Sequence, residues 1–226
     1  MAKAPIAGEA KTRLAAAIGD DVAAEVHTAF LRASVAGAQS VAEELDAFVA
    51  LMCPDERHHG LLRELGFENV WTQDRPTLMA GISQAFERAF AAGAETVVVG
   101  ETDSPNLPPA HLIAAFRMLA TGGSGIVLGP CDDGGYYLVG ARGLSDAAAR
   151  NLFEGERYDS TTICGRTAER ARLLGLAVEL GPEWYDVDTA EELERLEREL
   201  HAQASGHLAL LRDALAVMNR GSDVLG

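Results

Sequence analysis

The chain has 226 residues, 48% of them hydrophobic and 23% charged, with a formal net charge of -15 and an isoelectric point near 4.7. That is the composition of an ordinary water-soluble domain, long enough for one large domain or two small ones. The acidic balance argues against nucleic acid as a partner, and the absence of a long apolar run argues against a membrane span. Three cysteines, Cys53, Cys131 and Cys164, are odd in number and lack metal-type spacing, which points to a reducing, cytoplasmic setting.

The first stretch, M-A-K-A-P-I-A-G, reads as a loop because of Pro5 and Gly8. Lys11, Thr12 and Arg13 then open a helix through residues 14–18. A glycine-containing loop running into a helix start is a natural place for an anion, and Lys3, Lys11 and Arg13 add positive charge. The alternative is that these side chains are simply solvated. The P-loop spacing G-x-x-x-x-G-K-[ST] is absent. Residues 20–44 are alanine-rich, with Val22, Val26, Phe30 and Val35 spaced for one face of a long helix. A strand is expected over 46–52, a helix capped by Pro54-Asp55 through residue 65, and a short strand over 67–72. His58-His59 falls on a polar stretch and is expected to face solvent. Residues 77–92 give a helix with Leu78, Ile82, Phe86 and Phe90 toward the core, ended by Gly93.

Residues 95–100, E-T-V-V-V-G, read as a buried strand of a parallel sheet. Glu101 and Asp103 follow, two residues apart, so an extended backbone would point both carboxylates the same way. Two carboxylates at the carboxyl end of such a strand suit a hard cation; a solvated acidic loop is the alternative. A helix is expected from about 109 to 119, and a strand over 125–128 leads into G-P-C-D-D-G-G-Y-Y-L-V-G. There Asp133, Gly134, Gly135 and Tyr136 make either a ligand-facing turn or a plain hairpin. Further helices are expected over 145–153 and 165–174, and a strand over 176–180. In W-Y-D-V-D-T, Asp186 and Asp188 share one face of an extended segment. Thr189 and Glu192 have the spacing of a capping box, so Asp188 could belong only to a helix start. Helices over 190–203 and 207–218 close the chain, followed by a loose tail from Asn219. Alternating helices and strands predict a doubly wound α/β sheet with its ligand site at the strand carboxyl ends.

Four segments in this order resemble one family: K-A-P-I-A-G-E-A-K-T-R-L, G-E-T-D-S-P-N-L, G-P-C-D-D-G-G-Y-Y-L-V-G and W-Y-D-V-D-T. Together they resemble the radical-SAM/selenodomain-associated transferases, a branch of the GT-A nucleotide-diphospho-sugar transferase superfamily. More distantly they are similar to 2-phospho-lactate and molybdenum cofactor guanylyltransferases. The resemblance covers the chain to about residue 200. It implies a three-layer α/β/α GT-A fold with a mostly parallel sheet, as a single domain over 1–204 with a C-terminal helix and tail over 205–226. It implies nucleotide contacts from Lys3, Pro5, Gly8, Lys11, Thr12, Arg13 and Thr102, with Lys11, Arg13 and Asp103 catalytic. It implies Asp103 and Asp188 as ligands of Mg²⁺ (or Mn²⁺), and an acceptor pocket at Asp133, Gly134, Gly135 and Tyr136. Relatives carry a hydrophobic strand ahead of K-A-P, in the middle of the sheet, whereas here two residues precede Lys3. The expectation is therefore a sheet lacking its first strand, in a shortened version of a longer product.

The expected chemistry is metal-dependent transfer from a nucleotide. One form is nucleotidyl transfer from a nucleoside triphosphate to a small acceptor, releasing pyrophosphate. The other is glycosyl transfer from a nucleotide sugar, releasing a nucleoside diphosphate. The basic first loop favours the triphosphate. A non-catalytic nucleotide-binding protein is the third reading, since fold does not fix function. Leu208, Leu211 and Leu215 are expected to pack on the core or on a second subunit of a homodimer.

Overall fold

The computed structural model describes residues 1–121, 125–155, 159, 161–202 and 206–222. In chain order the elements are α1 (Thr12–Ile18), α2 (Asp20–Leu45), β1 (Leu51–Cys53), α3 (His59–Glu64), β2 (Val70–Thr72), α4 (Leu78–Ala91), β3 (Thr96–Gly100), α5 (Pro109–Thr121), β4 (Gly125–Pro130), β5 (Tyr136–Arg142), α6 (Asp146–Phe153), α7 (Ile163–Leu173), β6 (Ala177–Leu180), α8 (Ala190–Ala202) and α9 (His207–Ser222). They form two compact units interleaved in sequence. One comprises Met1–Ala2, Ala50–Glu101 and Pro108–Tyr185; the other comprises Lys3–Val49, Thr102–Leu107 and Asp186–Gly226.

The first unit holds the sheets. β1 and β2 pair in parallel, and a four-stranded sheet runs β3-β5-β4-β6. β4 and β6 are parallel, while β5 is antiparallel to both of its neighbours. Ile126, Val127 and Leu128 on β4 and Leu138 and Val139 on β5 are almost fully buried. Such continuous burial marks inner strands covered on both faces. α4 begins where the Thr77 hydroxyl accepts the Ala80 N–H. Its Met79, Ile82 and Phe86 enter the core, where the Phe86 ring stacks on Phe153 at 5.5 Å and on Phe90 at 6.0 Å. Ser145 caps α6 in the same way, accepting from Ala148.

Several expected elements shift for local reasons. The strand expected over 46–52 is only Leu51–Cys53, because Asp46 takes the left-handed conformation that ends α2 and the next residues form the connection. The strand expected over 67–72 shortens to Val70–Thr72, since Gly66 turns at positive φ and the Phe67 N–H returns to Leu62 O. His59 is buried rather than solvent-facing: it shares the inner face of α3 with Leu62, three residues on. Leu78, expected in the core, is the exposed first residue of α4. The sheet was expected to lack a first strand ahead of Lys3, and two residues stand there. The Met1 amino group donates to Gly100 O at 2.6 Å and the Ala2 N–H to Met52 O at 2.9 Å, so this dipeptide links the end of β3 to β1.

The second unit is helical. α2 buries Ala23, Val26, Phe30, Leu31 and Val41, and Leu14 of α1 is fully buried. Leu193, Leu196 and Leu200 form the buried stripe of α8, at the three- and four-residue spacing of a helix face. α9 belongs to this unit and packs on α2 and α8, with Leu211 and Leu215 nearly fully buried. The tail expected to be loose lies partly beyond the described residues. Among the described residues, no helix is long and apolar enough to cross a membrane.

Candidate active site

Lys11 sets the geometry of the second unit. It precedes α1 with φ 48° and ψ 44°, the left-handed region that a non-glycine residue adopts only under constraint. Gly8, at φ 79°, makes the turn before it, and the N–H groups of Glu9 and Ala10 both return to Ile6 O. The Lys11 side chain points inward and is 3% exposed. Its ammonium lies 2.5 Å from Asp103 Oδ1 and donates to Asp188 Oδ1 and Val187 O, both at 2.8 Å. An ammonium has three N–H donors, and all three have protein partners here. The group also sits 5.5 Å from the centre of the Phe30 ring. Arg13, largely exposed, reaches the other oxygen of Asp188 at 3.3 Å.

Backbone pairing brings the two aspartates together. The Val187 N–H donates to Asp103 O at 2.9 Å, which clamps the 102–107 segment to the approach of α8. The Ser34 hydroxyl, on α2, donates to Thr102 O, and the Asn106 amide donates to Glu199 on α8. The chain bends at Thr102 and Asp103, so the extended alternation expected for Glu101 and Asp103 does not continue past β3. The alternation does hold farther on. Tyr185 and Val187 are buried while Asp186 and Asp188 are half-buried.

The capping box forms as its spacing predicts. Glu192 accepts the Thr189 N–H at 2.7 Å and returns its own N–H to the Thr189 hydroxyl at 3.3 Å. It also accepts the Asp188 N–H at 2.7 Å, so one carboxylate fixes both the helix start and the backbone of Asp188. Burial works against the charged form of Glu192, but these hydrogen bonds prevail and hold its carboxyl below the ordinary 4.5. Its stabilisation is therefore present above pH 4.5 and lost as the pH falls below that value. Glu192→Ala should cost about 1–2 kcal/mol, the usual range for a lost cap, and loosen Asp188. Thermal unfolding at pH 7 would register the loss; an unchanged Tm would show that Asp188 is held by other means.

The burial of Lys11 pushes its pKa down, and the charges of Asp103 and Asp188 push it up by more, so it stays above 10.5. The ammonium is thus charged throughout the physiological range, and the stabilisation it brings is lost only as the pH climbs past 10.5. His27, on the buried face of α2, contacts Lys3 O through Nε2 at 3.1 Å. A carbonyl can only accept, so Nε2 carries the proton, and Nδ1 is buried without a hydrogen-bond partner among the described residues. Burial lowers the His27 pKa from 6.5, with the Asp103 charge opposing. Stability should therefore be full above pH 6.5 and decline as the pH falls below it. His27→Leu should flatten that decline in a Tm-against-pH series and, through the lost bond to Lys3, cost about 1–2 kcal/mol at pH 7.5. A slope unaltered by the substitution would assign it to another group.

Sequence reasoning named Lys11, Arg13, Asp103 and Asp188, and the structure brings these four together. Lys3, Gly8 and Thr12 are exposed, Pro5 is half-buried and Thr102 is buried. His27, Ser34 and Phe30 were missed as parts of the site. Their signal was their place on α2, one helix face carrying a histidine and a serine among apolar residues.

The 131–135 turn belongs to the first unit. Asp133 Oδ1 accepts the Gly135 N–H at 2.7 Å, and Cys131 exchanges backbone bonds with Gly134 and Gly135. Asp132 and Asp133 are exposed. Tyr136, expected to line an acceptor pocket, is 9% exposed, and its hydroxyl is directed at Met79 Sδ at 3.6 Å. Its ring is part of the core, so Asp133 is the member of this group with a side chain open to solute.

The suitability of the aspartate pair for a divalent cation can be judged from its present occupant. Both carboxylates direct an oxygen at one positive charge, which is what a shared cation requires. Hard carboxylate oxygens suit Mg²⁺, which is commonly held by one or two carboxylates with the rest of its shell from substrate phosphates and water. Among the described residues no group of three or more His, Cys, Asp or Glu side chains gathers.

Solved structures share this architecture. A protein from Desulfovibrio desulfuricans G20, provisionally named a nucleotide-diphospho-sugar transferase, matches with a TM-score of 0.78 and 27% identity over 97% of this chain and 94% of its own. CMP:2-keto-3-deoxy-manno-octonic acid synthetase, solved with CTP, matches with a TM-score of 0.55 and 12% identity over 78% of this chain and 88% of that one. 4-Diphosphocytidyl-2C-methyl-D-erythritol synthase from Anaerococcus prevotii DSM 20548 gives 0.54 and 10% over 81% and 90%. The fold is therefore the α/β nucleotide-diphospho-sugar transferase fold, as the four motifs imply. Residues 37–160 match the family described as an uncharacterized protein conserved in bacteria (DUF2064), and the chain belongs to that family. No curated protein matches it.

Proposed function

We propose that this chain is a metal-dependent transferase acting on a nucleotide, moving a nucleotidyl group from a nucleoside triphosphate to a small acceptor. The observation that carries the reading is the convergence of Lys11, Arg13, Asp103 and Asp188 within one unit of a nucleotide-diphospho-sugar transferase fold. Asp103 and Asp188 would hold Mg²⁺ or Mn²⁺, which when bound offsets negative charge on the phosphates and the leaving group. Lys3 and Arg13, both exposed, would meet outer phosphate oxygens. Lys11 can do so once its ammonium exchanges a carboxylate for a phosphate oxygen. Asp133 is the side chain we assign to acceptor contact. No nucleophilic side chain is required, and catalysis rests on positioning and electrostatics.

Glycosyl transfer from a nucleotide sugar is the second reading, favoured by the name of the Desulfovibrio protein. The deciding experiment is incubation with each nucleoside triphosphate and common nucleotide sugars, with Mg²⁺ or Mn²⁺, after a thermal-shift screen for binding. A ligand at a hundredfold its Kd adds about 2.7 kcal/mol of stability, which such a screen detects readily. Pyrophosphate release supports nucleotidyl transfer, and nucleoside diphosphate release supports glycosyl transfer. Binding without turnover across a broad acceptor panel would favour a nucleotide-binding protein, and no binding would refute the site.

A further inference from the structure

We propose that Lys11 is the resident cation of the Asp103–Asp188 pair, and that it keeps a divalent metal out until a phosphate draws the ammonium away. Only the identity of the phosphate, a nucleotide's, rests on the transferase reading above. The inner oxygens of both carboxylates face Lys11 Nζ, at 2.5 and 2.8 Å, and the second oxygen of Asp188 faces Arg13. A cation arriving from solvent finds carboxylates that are only 36% and 28% exposed, with a positive charge already between them. Two like charges cannot share that position, so metal and ammonium exclude each other. The ammonium cannot move off alone, because its side chain is 3% exposed and would leave both a fixed carboxylate pair and Val187 O without it. A phosphate supplies the missing partner: it accepts the ammonium and completes the metal's shell in the same event.

Composition supports a special role for this side chain. Of the 19 Lys and Arg residues in the chain only two are lysines, Lys3 and Lys11. A chain that otherwise uses arginine has a compact, three-donor ammonium at the point where two carboxylates meet. A planar guanidinium fork cannot stand in for a small ion there, whereas an ammonium can.

The test uses Mn²⁺ alone, its free concentration followed by electron paramagnetic resonance, on the full chain without nucleotide. Lys11→Gln is expected to bind Mn²⁺ at least tenfold more tightly than the wild type, and the gain should disappear in Lys11→Gln/Asp103→Asn. Equal affinities in wild type and Lys11→Gln would overturn the proposal. If Lys11→Gln does not fold, the wild type suffices, because its only lysines are Lys3 and Lys11. Acetylation by an amine reagent, read by peptide mass, should be fast at Lys3 and slow at Lys11. Mn²⁺ added together with inorganic phosphate should then speed modification of Lys11 at least tenfold while Mn²⁺ alone should not, and an unchanged rate with both present would overturn the proposal. Nucleoside triphosphates added to the wild type keep the two readings apart. Tighter metal binding in Lys11→Gln with no nucleotide effect upholds the resident cation and counts against the transferase reading. A nucleotide effect with equal metal affinities does the reverse.

Discussion

Asp103→Asn is expected to lower the Tm at pH 7 by about 2–12 °C and to abolish any metal-dependent shift produced by a nucleotide. The stability loss follows from the Lys11 ammonium, which keeps Asp188 and Val187 O but loses its contact with a charged oxygen at 2.5 Å. Breaking one side of a fully buried ion pair costs about 3–5 kcal/mol. Asp103 is 36% exposed and asparagine still offers a neutral acceptor, so about 1–3 kcal/mol is the reasonable range here. A chain of this size loses about 2–4 °C per kcal/mol. The loss of the ligand-induced shift has a separate cause, because only a charged carboxylate competes for a divalent cation against water. Asp103→Asn with an unaltered Tm and an intact nucleotide shift would remove Asp103 from the site. A lowered Tm with an intact shift would make it a structural partner of Lys11 alone.

How far the sequence reaches depends on how local each interaction is. The Thr77 and Ser145 caps, the Thr189–Glu192 box and the burial alternation across Tyr185 to Asp188 involve neighbours within a few positions, and local patterns report them. The direction of β5 is another matter. A run such as Y-Y-L-V-G-A-R is equally apolar in a parallel or an antiparallel setting, and only the tight 131–135 turn reverses it between β3 and β4. The destination of Lys11 was hidden for the same reason. Its partner Asp188 lies 177 positions away, and a lysine at the start of a short helix reads as solvated or phosphate-facing until the fold closes. His59 escaped because polarity was judged over its whole stretch, while burial was set by its three-residue spacing from Leu62.

Gly134→Ala is expected to be the most destabilising single-methyl change in the first unit's turn, at about 3 kcal/mol or a Tm drop of about 6–12 °C. Two causes act together. Gly134 has φ +98°, where an L side chain is strained. Its Cβ would also stand too close to the Thr161 carbonyl oxygen and 2.7 Å from the carbonyl carbon. Both are backbone atoms, so no rotamer change relieves the clash. The turn cannot easily retreat, because the Gly134 N–H donates to Cys131 O and its carbonyl accepts the Cys164 N–H near the start of α7. Gly93→Ala separates the causes: φ is +96° there, but nothing lies within 4 Å of the added methyl. That change should cost only about 1 kcal/mol, the backbone strain alone. Equal losses at the two positions would mean that the backbone of Thr161 yields to Gly134→Ala at little cost. A turn that yields so readily would be a poor platform for Asp133 to meet an acceptor, whereas a large difference would mark it as the rigid support that such a contact needs.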